Sequence, residues 1–278
     1  MKTYQVKGQT GLSSIYVGES LMAMDKYLPQ DRHIVIVTDT RIKSLYGHLF
    51  LDLPVITIGM GEGIKTLDTV ETILRGLLDY NCDRSSFIVG IGGGIVTDIT
   101  GFAASIFLRG IGFGFVSTSL LSQVDASVGG KNGVNLDAFK NMTGLFNQPE
   151  FVICDIDLLK SLPPEEISNG FAEIVKHALI CDPDMFRFLE QNRLKALDLD
   201  EDIIFRLVDD SVRIKSNVVQ HDEKEKGERR KLNFGHTIGH AIEKIEQAGH
   251  GRAVSMGIMA AAMFSNTKGW LSPKDVTR

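Results

Sequence analysis

Four short apolar runs punctuate the first half of the chain: HIVIVTD (33–39), PVITIGM (54–60), FIVGIGGG (87–94) and FGFVSTS (113–119). Runs this short, rich in β-branched residues and nearly free of charge, read as strands buried on both faces, the mark of a parallel sheet. Between the second and third, Leu67, Val70, Ile73, Leu74, Leu77 and Leu78 fall at helical spacing, and Thr66 stands where an N-cap belongs. Strand–helix alternation predicts an α/β unit with a mostly parallel, Rossmann-like sheet and helices on both faces. FVICDI (151–156) is its last strand candidate.

After Leu162 the period changes. Pro163-Pro164-Glu165-Glu166 and Asp182-Pro183 are helix starts, and from there to residue 270 the pattern is helical with almost no strand candidate. The expected organisation is an α/β unit at 1–160 followed by an all-α unit at 161–278. Ser272-Pro273-Lys274-Asp275 is a strong helix start, yet the chain ends three residues later. That ending is read as a helical unit cut short.

The 278 residues are 43% hydrophobic and 23% charged, with a net charge of −5, and no basic stripe points to nucleic acid. Any anionic ligand would need a local positive field. Cys82, Cys154 and Cys181 are odd in number and far apart, which favours reduced and mostly buried thiols. The N-terminus MKTYQVKGQTG has no apolar signal core, and no run approaches the length of a membrane span. The expected compartment is the cytoplasm.

Polar features interrupt this frame at three places. GIGGGIVTD (90–98) follows a strand and opens a helix, so its bare amides suit a diphosphate, and Asp98 lies on the first turn. Ile95 stands where the dinucleotide fingerprint wants a small residue, and no strand-ending acid follows about 20 residues on; a tight structural turn fits equally well. SLLSQVDASVGGKNGVN (119–135) sets Asp125, Lys131 and Asn135 among small residues, and LDAFKNMTG (136–144) adds Lys140 and Asn141. The third place is LNFGHTIGHAIE (232–243), whose His236 and His240 share a helix face at i and i+4. That spacing suits a metal ion or a buried hydrogen-bonded pair. NGFAEIVKHAL (169–179) and AGHGRAV (248–254) offer Glu173, Lys176, His177 and His250 as further donors.

Taken in order, GGGIVTDITGFAAS, LLSQVDASVGGK, FAEIVKHAL, LNFGHTIGHAIE and HGRAV resemble the 3-dehydroquinate synthase family of sugar-phosphate cyclases, over residues 60 to 260. The resemblance implies an NAD-binding α/β domain, a helical domain, an active site in the cleft between them, and commonly a homodimer. It implies NAD and one divalent metal, zinc or cobalt, acting on 3-deoxy-D-arabino-heptulosonate 7-phosphate in the shikimate pathway. The product is 3-dehydroquinate, reached by transient oxidation, phosphate elimination, re-reduction and aldol closure.

Position by position, the resemblance makes Glu173, His236 and His250 the metal ligands and turns His240 toward the substrate. Glu62, Lys65, Gly93, Gly94 and Asp98 match cofactor contacts, as do Thr118, Ser119, Lys131 and Lys140, and the stretch Leu158, Leu159, Lys160 and Ser161. Asp125, Lys131, Asn141 and Lys176 match substrate contacts, joined by Lys215, Arg229, Asn233 and His240. Lys131, Lys176, Arg229, Asn233 and His240 carry the catalytic roles, and Arg109 matches a residue that reaches the phosphate from the neighbouring subunit. Ser117-Thr118-Ser119 replaces the family's usual Pro-Thr-Thr, and Arg252 stands where an acid is common. The family continues into further C-terminal helices, so the resemblance implies weak or absent turnover for this chain; the alternative readings are another sugar-phosphate cyclase, glycerol-1-phosphate dehydrogenase of the same fold, or a truncated fragment that still binds NAD.

Overall fold

A computed structural model describes residues 1–137, 139–246 and 249–278. Its main sheet uses β1 (Lys2–Lys7), β2 (Leu12–Val17), β3 (Ile34–Asp39), β4 (Val55–Ile58), β5 (Phe87–Gly92), β6 (Gly112–Ser117) and β9 (Phe151–Cys154). The spatial order is β1-β2-β9-β6-β5-β3-β4. Only the β1–β2 pair is antiparallel; every other pairing is parallel. The four expected strands are β3, β4, β5 and β6, and the central ones are buried along almost their whole length. That continuous burial is why their sequences lack alternation.

Helices cover both faces. α1 (Thr40–Tyr46) packs Ile42 on one side, while α2 (Leu67–Asp79) and α3 (Gly94–Ile106) pack Val70, Ile73, Leu77 and Ile99 on the other. Thr66 caps α2 by accepting from Thr69 N at 3.3 Å.

Two hairpins were not foreseen. The β1–β2 hairpin is an edge whose outer strand is mostly exposed, so it carries little apolar signal. The polar stretch after Lys131 is not a loop but a second sheet, β7 (Lys131–Leu136) paired antiparallel with β8 (Phe139–Phe146). β8 buries none of its residues fully, which removes the period a strand usually shows. The preceding Ser122–Ala126 forms a π-helical turn.

From Pro164 onward the described residues are helical: α4 (Pro164–Cys181), α5 (Pro183–Leu197), α6 (Glu201–His221), α7 (His236–Glu246), α8 (His250–Thr267) and α9 (Pro273–Thr277). Pro164 occupies the first turn of α4, and Asp182 caps α5. One core cluster runs from Val6 and Ile15 through Ile99 to Ile174, Leu207 and Val212, joining the sheet to α4 and α6. All three cysteines are free thiols; Cys82 and Cys154 are buried and Cys181 is exposed at the end of α4, in keeping with mostly buried thiols. None of the described helices is long and apolar enough to cross a membrane.

The chain steps from β3 outward to β4 and then returns to β5 on the other side of β3. This reversal opens a crevice at the carboxyl ends of β3 and β5, the place where open α/β sheets bind ligands. A cleft of about 1320 Å³ lies there, walled by the strand ends, the β7–β8 hairpin and the starts of α4, α7 and α8.

Candidate functional site

Three helices meet at the helical wall. Glu173 lies in the middle of α4, His236 is the first residue of α7, and His250 is the first residue of α8. Their donor atoms all lie within 4.8 Å of one another. Glu173 Oε1 is 3.7 Å from His236 Nε2 and 3.5 Å from His250 Nε2. Tetrahedral zinc with bonds of roughly 2.0–2.1 Å sets its ligands about 3.3–3.5 Å apart, so the donors stand near that spacing.

Close helix approach makes this meeting possible. A Cβ on Gly251 would come 2.4 Å from the Cα of Asn169 in α4, and one on Gly257 would come 1.9 Å from the carbonyl of Gly235. Gly235 itself has φ of 81°, the left-handed region that glycine tolerates, and it turns the chain into α7.

The donors fit a metal by a second criterion. Glu173 is fully buried and its Oε1 has no hydrogen-bond donor. A buried carboxylate oxygen without a partner is costly, and an ion would satisfy it. The free nitrogen of each histidine also faces an acceptor. His236 Nδ1 lies 3.3 Å from the Phe234 carbonyl, and His250 Nδ1 lies 3.9 Å from Glu243 Oε1. Burial would lower the His250 pKa, but Glu173 and Glu243 override it and raise it to about 9.

Asp125, Glu173 and His177 form a second group of potential ligands. There Asp125 is already paired with Lys215, while Glu173, shared by both groups, meets Lys176 through Oε2 and faces His236 and His250 through Oε1.

A cluster of cations lines the cleft beneath the three donors. Lys215 Nζ donates to Asp125 Oδ1 at 2.5 Å and to the Asp125 carbonyl at 2.6 Å. Burial pulls Lys215 down to about 8, Asp125 opposes this, and Arg229 adds to it. Burial pushes Asp125 up, but Lys215 and Lys176 hold it well below the usual carboxylate range. Arg229 is 1% exposed and donates through Nη2 to the Gly129 carbonyl at 2.9 Å. Lys131 and Asn233 both meet Glu225. Lys176, Lys215, Arg229 and Lys131 thus gather in one cleft, the three lysines each paired with a carboxylate, Glu173, Asp125 and Glu225.

The opposite wall carries the residues expected to meet a nucleotide. Gly93 and Gly94 open α3 at the end of β5, beside Thr118 and Ser119 at the end of β6. A Cβ on Gly93 would sit 3.2 Å from Ser119 Oγ, so the absence of a side chain leaves the helix N-terminus bare. Lys65 Nζ donates to Asp98 Oδ2 at 2.5 Å and to Asn141 Oδ1 at 2.6 Å. Asn135 donates to Glu62 at 2.8 Å, tying the hairpin to the 61–65 loop. Asn141 therefore sits beside Lys65, in the same cleft as the cation cluster. Lys140 Nζ reaches across the cleft to Glu243 Oε1 at 2.6 Å.

Some expected residues stand apart. Leu158 and Leu159 are core side chains, 3% and 1% exposed, and Lys160 pairs with Asp157 at the surface; of that stretch only Ser161 lines the cleft. Arg109 is exposed outside the cleft of its own chain, with φ of 73°. His240 lines the cleft one turn beyond His236, their ring centroids 5.3 Å apart. Burial, opposed by Glu243, lowers the His240 pKa.

Sequence reasoning missed Asp39, Glu225 and Glu243. Asp39 ends β3, caps α1 through Ile42 N at 2.8 Å and lines the cleft. It ends a strand and lines the same cleft as the glycine turn, but it precedes that turn in the chain, so only sheet topology brings both to one cleft. Glu243 closes the HAIE stretch, and its place one helical turn after His240, at i+3, was the available signal.

A dinucleotide-type crevice facing a helical wall with three metal-type donors and a bed of cations defines a cofactor- and metal-dependent enzyme for an anionic substrate. The chain belongs to the 3-dehydroquinate synthase family: residues 55–169 match the family described as 3-dehydroquinate synthase N-terminal, and residues 170–278 the one described as 3-dehydroquinate synthase C-terminal. A 3-dehydroquinate synthase of Saccharophagus degradans is 42% identical over 284 aligned residues, covering 98% of this chain and 78% of the relative. A crystal structure of 2-deoxy-scyllo-inosose synthase complexed with carbaglucose-6-phosphate, NAD+ and Co2+ superposes with a TM-score of 0.85 at 29% identity, covering 99% of this chain and 78% of that one. The 2-epi-5-epi-valiolone synthase of Streptomyces hygroscopicus subsp. jinggangensis, with NAD+ and Zn2+ bound, gives 0.87 at 25% identity, covering 95% and 77%.

Proposed function

We propose that the chain catalyses the reaction for which its family is named, converting 3-deoxy-D-arabino-heptulosonate 7-phosphate to 3-dehydroquinate and phosphate. The observation that carries this reading is the convergence of Glu173, His236 and His250 from three helices, facing the Gly93–Gly94 turn across a cation-lined cleft. The family match supplies the substrate.

NAD in the crevice would supply a reversible hydride acceptor, so oxidation and re-reduction leave no net redox change. A divalent ion at the three donors would supply Lewis-acid polarisation of a substrate oxygen. The remaining work belongs to this chain. The α3 N-terminus offers amides to a diphosphate, and the Lys65–Asp98 pair fixes the loop above it. Lys131, Lys215 and Arg229 bind the anionic groups of the substrate and hold its geometry. Lys176, locked against Glu173, keeps positive charge at the edge of the donor set. His240, its pKa lowered, is neutral at neutral pH and is placed to take or return a proton. Asp125 orients Lys215 and gives a substrate hydroxyl an acceptor.

Arg109, exposed and outside the lining of its own cleft, contributes to the site of a second copy in a homodimer. The test of substrate identity is a panel of sugar phosphates assayed for phosphate release. Turnover of the heptulosonate phosphate, with glucose 6-phosphate and other heptulose phosphates inert, supports the assignment. The reverse preference overturns it.

A further inference from the structure

Glu243 has no role in the assignments above, yet it touches both halves of the site. It lies on α7, 8% exposed. Its Oε1 accepts from Lys140 Nζ at 2.6 Å and stands 3.9 Å from His250 Nδ1. The other ring nitrogen of His250, Nε2, faces Glu173 at 3.5 Å. The two nitrogens of one imidazole are thus divided between two carboxylates. Lys140 in turn lies 3.7 Å from Glu62 of the nucleotide-side loop. A continuous chain runs Glu173–His250–Glu243–Lys140–Glu62, from the metal donors to the opposite wall.

We propose that Glu243 is a positioning residue that couples the metal donors to the cofactor side. It holds the His250 Nδ1–H, so that Nε2 presents its lone pair to the ion, and the same oxygen anchors the Lys140 ammonium against the nucleotide. Two physical facts carry this. A metal-bound histidine keeps its tautomer and ring angle through an acceptor on its other nitrogen, and loss of that acceptor costs 10–100-fold in metal affinity. His236 already has such an acceptor in a backbone carbonyl, whereas the only acceptor on the far side of His250 among the described contacts is Glu243. A carboxylate this buried is also expensive unless paired, and both of its partners are cations or a ring that can donate to it. Because one oxygen serves both, a change in the position of Lys140 on cofactor binding is felt at His250.

The inference rests on Glu173, His236 and His250 being the ligands, so the experiment separates the two claims. Co2+ affinity is measured by competition with a chelator, and NAD affinity by calorimetry with and without Co2+, in the unmodified chain, Glu243→Gln, Lys140→Met and His236→Ala. Glu243→Gln keeps the side-chain shape and removes the charge. It should lose 10–100-fold in Co2+ affinity, alter the visible spectrum of the bound Co2+, and abolish the difference in NAD affinity made by the metal. Lys140→Met should weaken NAD binding and reduce the same coupling, with a smaller loss of Co2+ affinity. Should Glu243→Gln fail to fold, as judged by circular dichroism, Glu243→Asp with its carboxylate drawn back should give an intermediate loss. Wild-type Co2+ affinity, spectrum and coupling in the Glu243 variant, with His236→Ala impaired, would overturn the proposal and leave the metal site standing. Unimpaired Co2+ binding by His236→Ala would overturn the ligand assignment and this inference with it.

Discussion

Lys215 on α6 donates to both the side chain and the carbonyl of Asp125, at 2.5 and 2.6 Å, and so fixes the π-helical turn over the cleft floor. Burial sets its pKa at about 8, below the ordinary 10.5, despite Asp125 beside it. The ammonium is therefore lost as pH rises through about 8. Turnover of an anionic substrate at low concentration should fall on that limb. Lys215→Arg should remove the limb, because guanidinium stays charged. The stability effect has the opposite sign. Between about 8 and 10.5 the unfolded chain holds a proton that the folded chain has released, so this residue makes stability rise with pH across that window. Denaturant melts of the parent and Lys215→Arg across this range, beside kcat/KM profiles, check both signs.

The Glu173–Lys176 pair is buried at both ends, with side-chain exposures of 0% and 1%. Removing one partner leaves an uncompensated buried charge. Glu173→Ala should therefore cost roughly 3–5 kcal/mol in denaturant unfolding, measured with a chelator present so that metal loss does not contribute. A cost below about 1 kcal/mol would show that Lys176 finds another partner or sheds its proton.

Gly257 faces the carbonyl of Gly235 so closely that an added Cβ would stand 1.9 Å from it. Gly257→Ala must push α8 off the turn that presents His236. Overpacking of this kind costs roughly 1–3 kcal/mol. The expected signature is a larger loss in Co2+ affinity than in the affinity for NAD, read by titration of each.

At the other wall, Gly93→Ala places a methyl 3.2 Å from Ser119 Oγ, in front of the α3 amides. NAD binding should weaken about tenfold or more while Co2+ affinity stays unchanged, since a misplaced diphosphate forfeits charge-assisted hydrogen bonds. An equal loss in both would mean that the α3 turn and the metal donors move as one piece.

The parallel sheet was legible because strands buried on both faces write uninterrupted apolar runs, as β3 and β5 do. The helix caps at Thr66, Pro163-Pro164 and Asp182 were legible because capping is local chemistry. β8 was not, because a strand with no fully buried residue has no hydrophobic period. The three metal-type donors were each visible as isolated polar residues among small ones, but their grouping came from resemblance. Spacing alone paired His236 with His240, whereas the structure sets His236 beside Glu173 and His250 through helix contacts at Gly251 and Gly257. Glu243 escaped notice because Lys140, its partner across the cleft, is distant in sequence, and Asp39 because only the order of the strands brings the end of β3 to the same cleft as the Gly93–Gly94 turn.

Incubating the protein with 3-deoxy-D-arabino-heptulosonate 7-phosphate, NAD and Co2+, while following phosphate and NADH absorbance together, gives the decisive result. Phosphate released in step with 3-dehydroquinate, with no net NADH, is the outcome expected of a redox-neutral cyclase built on these residues. NADH accumulating in proportion to substrate consumed, or no phosphate from a protein that demonstrably binds both NAD and Co2+, would contradict it.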